Sequence, residues 1–272
     1  ICNVAIGTNA LGASTTGCSN IAIGNLALGA AVTTGAFNVA LGTATMDALT
    51  SGACNVAIGI NALGASTTGC NNIGIGNAAM GASDTTGYNN LAMGQVAMDA
   101  LTTGQNNIAM GTNALGASTT GCHNIALGYI AMGAADTTGI SNIAIGVNAM
   151  DALTTGICNV AIGANALGAA TTGCKNIALG DTALGGAAVT GNNNVALGAC
   201  GMDALTTGTE NVAIGTATLG ASTTGCNNVA IGYIALGGAI TTGINNIALG
   251  NSAMDALTSG ADNVAIGRDA AG

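Results

Sequence analysis

Bulky aliphatic residues alternate with small ones in short bursts along the chain, each burst preceded by asparagine and closed by glycine. The pattern is Asn-(Val/Ile/Leu)-(Ala/Gly)-(Ile/Leu/Met)-Gly, and it recurs sixteen times. Its asparagine falls at Asn3, Asn20, Asn38, Asn55, Asn72, Asn90, Asn107, Asn124, Asn142, Asn159, Asn176, Asn194, Asn211, Asn228, Asn246 and Asn263. Alternation with a period of two predicts a short strand with two unlike faces. The β-branched Val and Ile in most of the bulky places favour the same assignment. Eight residues after the asparagine, in the fifteen complete units, stands Leu or Met, as at Leu11, Leu28, Met46 and Met80. A Thr-Thr-Gly or Thr-Ser-Gly segment then marks a corner, where glycine can supply a positive φ.

The asparagines are spaced 17, 18 and 17 residues apart, and the triplet repeats, so a short unit sits inside a super-repeat of 52 residues. A fixed period of this kind signals a stacked repeat architecture. One short unit holds two or three brief strands and their corners, which is one coil of a β-solenoid. Taking the whole super-repeat as a single turn would give sides of ~55 Å around a void that Ala and Leu cannot fill. The expected fold is therefore all-β: a parallel β-solenoid of 17–18-residue coils, with residues 1–272 forming a single repetitive rod, a segment of a longer fibre protein. The bulky residues one and three places after each asparagine are expected to fill the thin core. Ala5, Gly7, Ala22 and Gly24 would then lie on the opposite side, as a small-residue strip against which another copy packs. The asparagines are expected to stack as a hydrogen-bonded amide ladder, fixing a register that glycine-rich strands specify weakly.

Composition narrows the function. With 46 Gly and no Pro or Trp, a helical repeat is excluded, since each Gly costs a helix about 1 kcal/mol relative to Ala. Only 5% of residues are charged. Two basic residues, Lys175 and Arg268, stand against eleven acids, for a net charge of −9, so binding of nucleic acid through its phosphates is not expected. A single His123 leaves little for acid–base catalysis, and no catalytic, cofactor or metal residues are assigned. Every stretch of eighteen residues is interrupted by Gly, Asn or Thr, so no membrane span is expected.

Cysteine is the most reactive side chain present. Cys18, Cys70, Cys122, Cys174 and Cys226 recur once per super-repeat, directly after the Thr-Thr-Gly corner. Three coils, ~14 Å, separate successive members, too far for bonds within the series. Cys2–Cys18, Cys54–Cys70 and Cys158–Cys174 are each sixteen residues apart, almost one coil, and are the candidate disulfides. Asn106 and Glu210 occupy the partner place in the other two super-repeats, and Cys200 fits neither series. The competing reading makes these cysteines small buried apolar residues. Asp47, Asp99, Asp151, Asp203 and Asp255 form another row with the super-repeat spacing, read as a solvated row that maintains solubility rather than as a cation site. His123, Lys175, Ser19 and Glu210 share a polar place after the corner and are expected to face solvent, while Tyr88, Tyr129 and Tyr233 are candidate glycan-stacking residues. The Thr pairs offer one outward Thr per coil, the basis of an alternative reading as an ice-binding or glycan-binding face.

The motifs Asn-Val-Ala-Ile-Gly and Asn-Ile-Ala-Leu-Gly resemble the core repeat of trimeric autotransporter adhesin heads, which are left-handed parallel β-rolls. The longer pattern Thr-Thr-Gly-x-Asn-Asn-x-Ala-x-Gly, from Thr85 to Gly94, is similar to repeat regions of tailed-phage tail fibres. The present coils are longer than those of adhesin heads, and the three-coil super-repeat is not part of that family's pattern. The resemblance implies a left-handed coil and a homotrimer or filament. It also implies a non-enzymatic extracellular fibre, on a cell or virion surface, that spaces or presents adhesive parts. A host-surface receptor or glycan would be contacted through parts outside this segment.

Overall fold

A computed structural model describes residues 2–271 of the chain, which fall into two compact units divided between Thr138 and Gly139. The first holds β1 (Val4–Ile6), β2 (Ile21–Ile23), β3 (Val39–Leu41), β4 (Val56–Ile58), β5 (Ile73–Ile75), β6 (Leu91–Met93), β7 (Ile108–Met110) and β8 (Ile125–Leu127). The second holds β9 (Ile143–Ile145), β10 (Val160–Ile162), β11 (Ile177–Leu179), β12 (Val195–Leu197), β13 (Val212–Ile214), β14 (Val229–Ile231), β15 (Ile247–Leu249) and β16 (Val264–Ile266). In each unit every strand pairs in parallel with the next strand in sequence. The register sets like on like: Val4 faces Ile21, Ala5 faces Ala22, Ile6 faces Ile23. The chain is a β-solenoid with one coil per short repeat and no helix among the described residues.

Main-chain bonds also join the coils away from the strands. Along the Leu/Met column, the Leu28 N–H donates to the Thr45 carbonyl at 3.0 Å, Met46 to Ala62 at 3.1 Å and Leu63 to Ala79 at 2.9 Å. A further seam runs through the threonine corner, where the Thr50 N–H donates to Thr67 at 2.9 Å. Each coil is thus hydrogen-bonded to its neighbours along three walls, which satisfies the backbone of a chain too thin to hide it otherwise.

The sides of the strand are the reverse of the expectation that the bulky residues fill the core. The central Ala is the inward residue: Ala22, Ala40, Ala57, Ala92 and Ala109 are fully buried. The flanking Val, Ile, Leu and Met point outward, with Ile21, Ile23 and Ile58 38–39% exposed. The cause is the width of the coil. At Gly74, which holds the central place in β5, an added Cβ would lie 3.2 Å from the Ala79 carbonyl oxygen and 3.4 Å from Leu63 Cγ. One methyl group fits there and a branched side chain does not. The bulk of the core comes instead from the second wall, where Leu28, Met46, Leu63, Met80, Met98 and Leu115 are at most 1% exposed. Each such side chain contributes roughly 2 kcal/mol through burial. Ala109→Val is accordingly expected to overpack the coil and destabilise it by about 1–3 kcal/mol in urea unfolding. Ile108→Thr, on the outer side of the same strand, is expected to change the stability of the isolated chain by less than about 0.5 kcal/mol.

Glycine and positive φ are also distributed differently from the sequence expectation. The glycine that closes each strand has φ near 130–140°, as at Gly24 (138°) and Gly59 (130°), and a Cβ there would strike the same glycine of the next coil. The glycine of the threonine corner has no positive φ; Gly35 and Gly52 are needed because a Cβ would collide with the carbonyl oxygens of Gly52 and Gly69 in the following coil. Left-handed backbone at the other corners is taken by non-glycine residues, among them Asn61 (56°), Leu63 (50°) and Asn71 (57°). Asn tolerates this region better than most residues.

Candidate interaction surface

The strands and the residue two places beyond each carry three outward columns. The first and third strand positions, thirty-two in all, are Val, Ile, Leu or Met without exception. Outward exposure persists along both units: Met93 is 38% exposed, Met110 39%, Ile162 39% and Ile231 39%. The column beyond the closing glycine is mixed, holding Thr8, Ile60, Gln95, Tyr129, Asp181 and Arg268 among others. Tyr129 and Tyr233 therefore border the aliphatic rows, both 54% exposed, whereas Tyr88 lies before the asparagine and pairs with Cys70 in an isolated parallel bridge. Alternation along the sequence marks two unlike faces without orienting them, which is why it misplaces the rows inside. The signal that orients them is the Leu/Met column, which already supplies the bulk a thin coil can hold.

The buried asparagines form the spine of each unit. Asn38 Nδ2 and its backbone N–H both donate to Asn20 Oδ1, at 3.1 and 2.8 Å, while Nδ2 also donates to the Gly52 carbonyl at 3.0 Å. Asn55 repeats the pattern on Asn38, and Asn107 on Asn90. In the second unit Asn211 and Asn228 do the same. Asn20, Asn38, Asn72, Asn176, Asn194 and Asn246 are fully buried, so these amides serve the stack and offer nothing to a ligand.

The other polar columns lie outside. The Thr or Ser just before the corner glycine is exposed, as at Thr34, Ser51, Thr68, Thr86 and Thr103, while the preceding Thr is buried in the 18-residue coils at Thr33, Thr85 and Thr241. The place before the asparagine carries an exposed chain of contacts: Asn89 donates to Asn106 Oδ1 at 3.2 Å, and Asn106 Nδ2 lies 3.3 Å from His123 Nε2. Ser19, Lys175 and Glu210 occupy the same column and are exposed.

All nine cysteines are free thiols, and none is buried. The reading of buried apolar cysteines is thereby corrected: Cys2, Cys54, Cys158 and Cys200 are exposed and the other five half-buried. The thiols of Cys70 and Cys174 accept from the N–H groups of Ala53 and Ile157, each at 3.4 Å, the residues immediately before Cys54 and Cys158. Among the described residues no group of three or more His, Cys, Asp or Glu side chains is placed to hold a metal ion. No helix there is long and apolar enough to cross a membrane.

The aspartate row is engaged with the fold rather than simply solvated. Asp99 Oδ1 accepts from the N–H groups of Gly81 and Ala82, in the coil before it, at 3.2 and 2.8 Å. Asp203 sits over Gly186, where a Cβ would come within 2.7 Å of its Cγ, and its buried Oδ1 has no hydrogen-bond partner. Burial raises the Asp47 and Asp151 carboxyls above the ordinary 3.8, offset in part by main-chain N–H groups including Ala48 and Ala152. The folded chain therefore keeps these two protons to a higher pH than the unfolded chain. Their contribution to stability is fully present below pH 3.8 and is lost as the pH rises through the raised folded-state value. Replacing Asp47 and Asp151 by Asn is expected to stabilise the chain slightly at pH 7, by up to about 0.5 kcal/mol per site and with a correspondingly higher Tm, and to make no difference near pH 3. Thermal unfolding of both forms at the two pH values measures this.

Neither a protein-family model nor a curated protein matches the chain.

Proposed function

We propose that this chain is a non-enzymatic structural shaft, an extracellular fibre or filament segment that spaces or presents adhesive parts on a microbial or virion surface. The carrying observation is that an asparagine spine bonded to the neighbouring coil recurs through both units, and that every strand carries the same pair of outward aliphatic positions. Residue types that would make a local chemical site vary from coil to coil. A repeat of this kind lengthens by duplication, which is what a spacer requires. The likeness of its Asn-x-Ala-x-Gly repeat to those of adhesin heads and tail fibres supports the same reading, with a left-handed coil and three chains self-associating into one shaft. Negative-stain microscopy with light scattering tests it: elongated particles with the mass of three chains are expected, and a compact single chain would refute it.

A second reading rests on the exposed threonine column, one side chain per coil, from Thr34 through Thr103. Regularly spaced hydroxyls could order water or follow a glycan. Inhibition of ice recrystallisation by a single chain, or retention on a glycan array that Thr68→Lys removes, would favour this reading over the shaft.

A further inference from the structure

We infer that the outward aliphatic face of each unit is the surface on which a second copy of this chain docks, row against row. The inference rests on the self-association reading above and names the face that serves it. The repeats provide an internal comparison of what each surface position tolerates. The column beyond the strand accepts Thr8, Asn77, Tyr129, Ala164, Asp181 and Arg268, and the column before the asparagine accepts Ser19, His123, Lys175 and Glu210. These are positions that water covers. The first and third strand positions lie between them, exposed or half-buried but never buried, yet none of the thirty-two holds a polar residue. Their composition is that of a core, and their place is outside the coil.

The size of the face fits a protein partner. Each eight-strand unit contributes sixteen such side chains, at exposures such as 37% for Ile73 and 38% for Leu179. They leave on the order of 700 Å² of apolar surface per unit, comparable with the ~800 Å² each partner buries in a standard interface. It also exceeds the few hundred Å² that monomers commonly leave open. The spacing then selects the partner. The rows repeat at the ~4.8 Å separation of paired strands, so only a surface with the same pitch seats a side chain in every gap. A second copy has that pitch by construction. The charges permit the approach, because all eleven acids and both bases lie off the two rows and none is buried unpaired by the contact.

Light scattering on defined variants provides the test. The wild-type chain is expected to run as a multi-chain species. Substituting Ile23, Ile58, Ile162 and Ile231 together by Lys should reduce it to a single chain of 25.4 kDa with an unchanged circular dichroism spectrum. A companion form with Thr at those four places keeps β-branched side chains and should associate at least tenfold more weakly; it decides the matter if the lysine form does not fold. Thr68→Lys with Thr172→Lys, on the exposed threonine column, should leave the mass unchanged. A wild-type single chain, whether free or adsorbed to lipid vesicles, would overturn the self-association reading and this inference together. A multi-chain mass that survives the row substitutions, or that is lost only with the threonine-column substitutions, would overturn the choice of face alone.

Discussion

Asn90→Ala is expected to destabilise the chain by about 3–5 kcal/mol, the largest effect of any single substitution outside the glycines. Asn90 Nδ2 donates to Asn72 Oδ1 at 3.1 Å and to the Gly104 carbonyl at 2.9 Å. Its Oδ1 accepts both the backbone N–H and the side-chain Nδ2 of Asn107, at 3.0 and 3.1 Å. Removing the amide strands the Gly104 carbonyl and the Asn107 N–H and takes one of two donors from Asn72 Oδ1, at a place where Asn72, Asn90 and Asn107 are at most 1% exposed. Each orphaned buried group costs about 1–3 kcal/mol. Asn90→Asp should be at least as damaging, because a carboxylate cannot donate to Gly104 and would bring a charge into the spine. Urea unfolding monitored by circular dichroism reads both. A loss below about 1 kcal/mol would mean that the amide column is incidental to the stack.

The second large effect concerns the order of the coils. Within a super-repeat the three coil types bond to one another through side chains that differ from type to type. Ser66 Oγ, in a 17-residue coil, donates to the Thr85 carbonyl of the 18-residue coil at 2.8 Å. Thr85 Oγ1 donates onward to the Leu101 carbonyl of the aspartate coil at 2.9 Å, and Thr102 Oγ1 to the Thr119 carbonyl of the next serine coil at 3.0 Å. Asp84 reaches back to the Thr67 N–H and hydroxyl, and Asp99 to Gly81 and Ala82. Where the relay is absent, both hydroxyl donors are missing together: Ala170 and Val189 stand in place of the Ser and Thr, and both are buried.

Deleting the long coil, residues 72–89, sets a serine coil directly on an aspartate coil. That leaves the Ser66 hydroxyl, the Leu101 carbonyl and the Asp99 carboxylate without their partners. The expected cost is about 2–4 kcal/mol beyond the share of one lost coil. Deleting residues 55–106 removes a complete super-repeat and joins Cys54 to Asn107, recreating the Cys-Asn junction found at Cys54–Asn55 and Cys158–Asn159. That shorter chain should unfold in one transition and lose only the share of three coils. Comparable midpoints for the two deletions would show that the coil types are interchangeable.

These relations mark the limit of what the sequence displays. The sixteen strands, their parallel order and their 17–18-residue step follow from period alone, because a coil that closes on itself fixes which residues stack. The orientation of Val4 or Ile21 does not follow, since alternation is symmetric between the two faces until the opposite wall is known. Leu63 lies within reach of a Cβ at Gly74, and that contact settles the side. The 52-residue period is visible as a number, but the bonds that distinguish one coil type from the next, such as Ser66 Oγ to the Thr85 carbonyl between residues 19 apart, are not. The threonine corner looks like a positive-φ turn and instead needs glycine for close approach between Gly35 and Gly52. Cysteine looks like core filler, yet none is buried: eight of the nine stand at the offsets just before the asparagine, on the outer wall, and Cys200 is exposed beyond its strand.

The inside-out strand is the premise of both the fold's stability and its docking face, and methionine reports on it directly. Met93 and Met110 occupy outward strand positions, 38% and 39% exposed, while Met46, Met80, Met98, Met132, Met150, Met202 and Met254 are at most 1% exposed. Peroxide oxidation of the folded, dissociated chain, followed by peptide mass mapping, separates the two orientations. Met93 and Met110 should be converted to sulfoxide well before the other seven. If they react no faster than Met98 and Met132, the aliphatic rows point inward and the outward face does not exist.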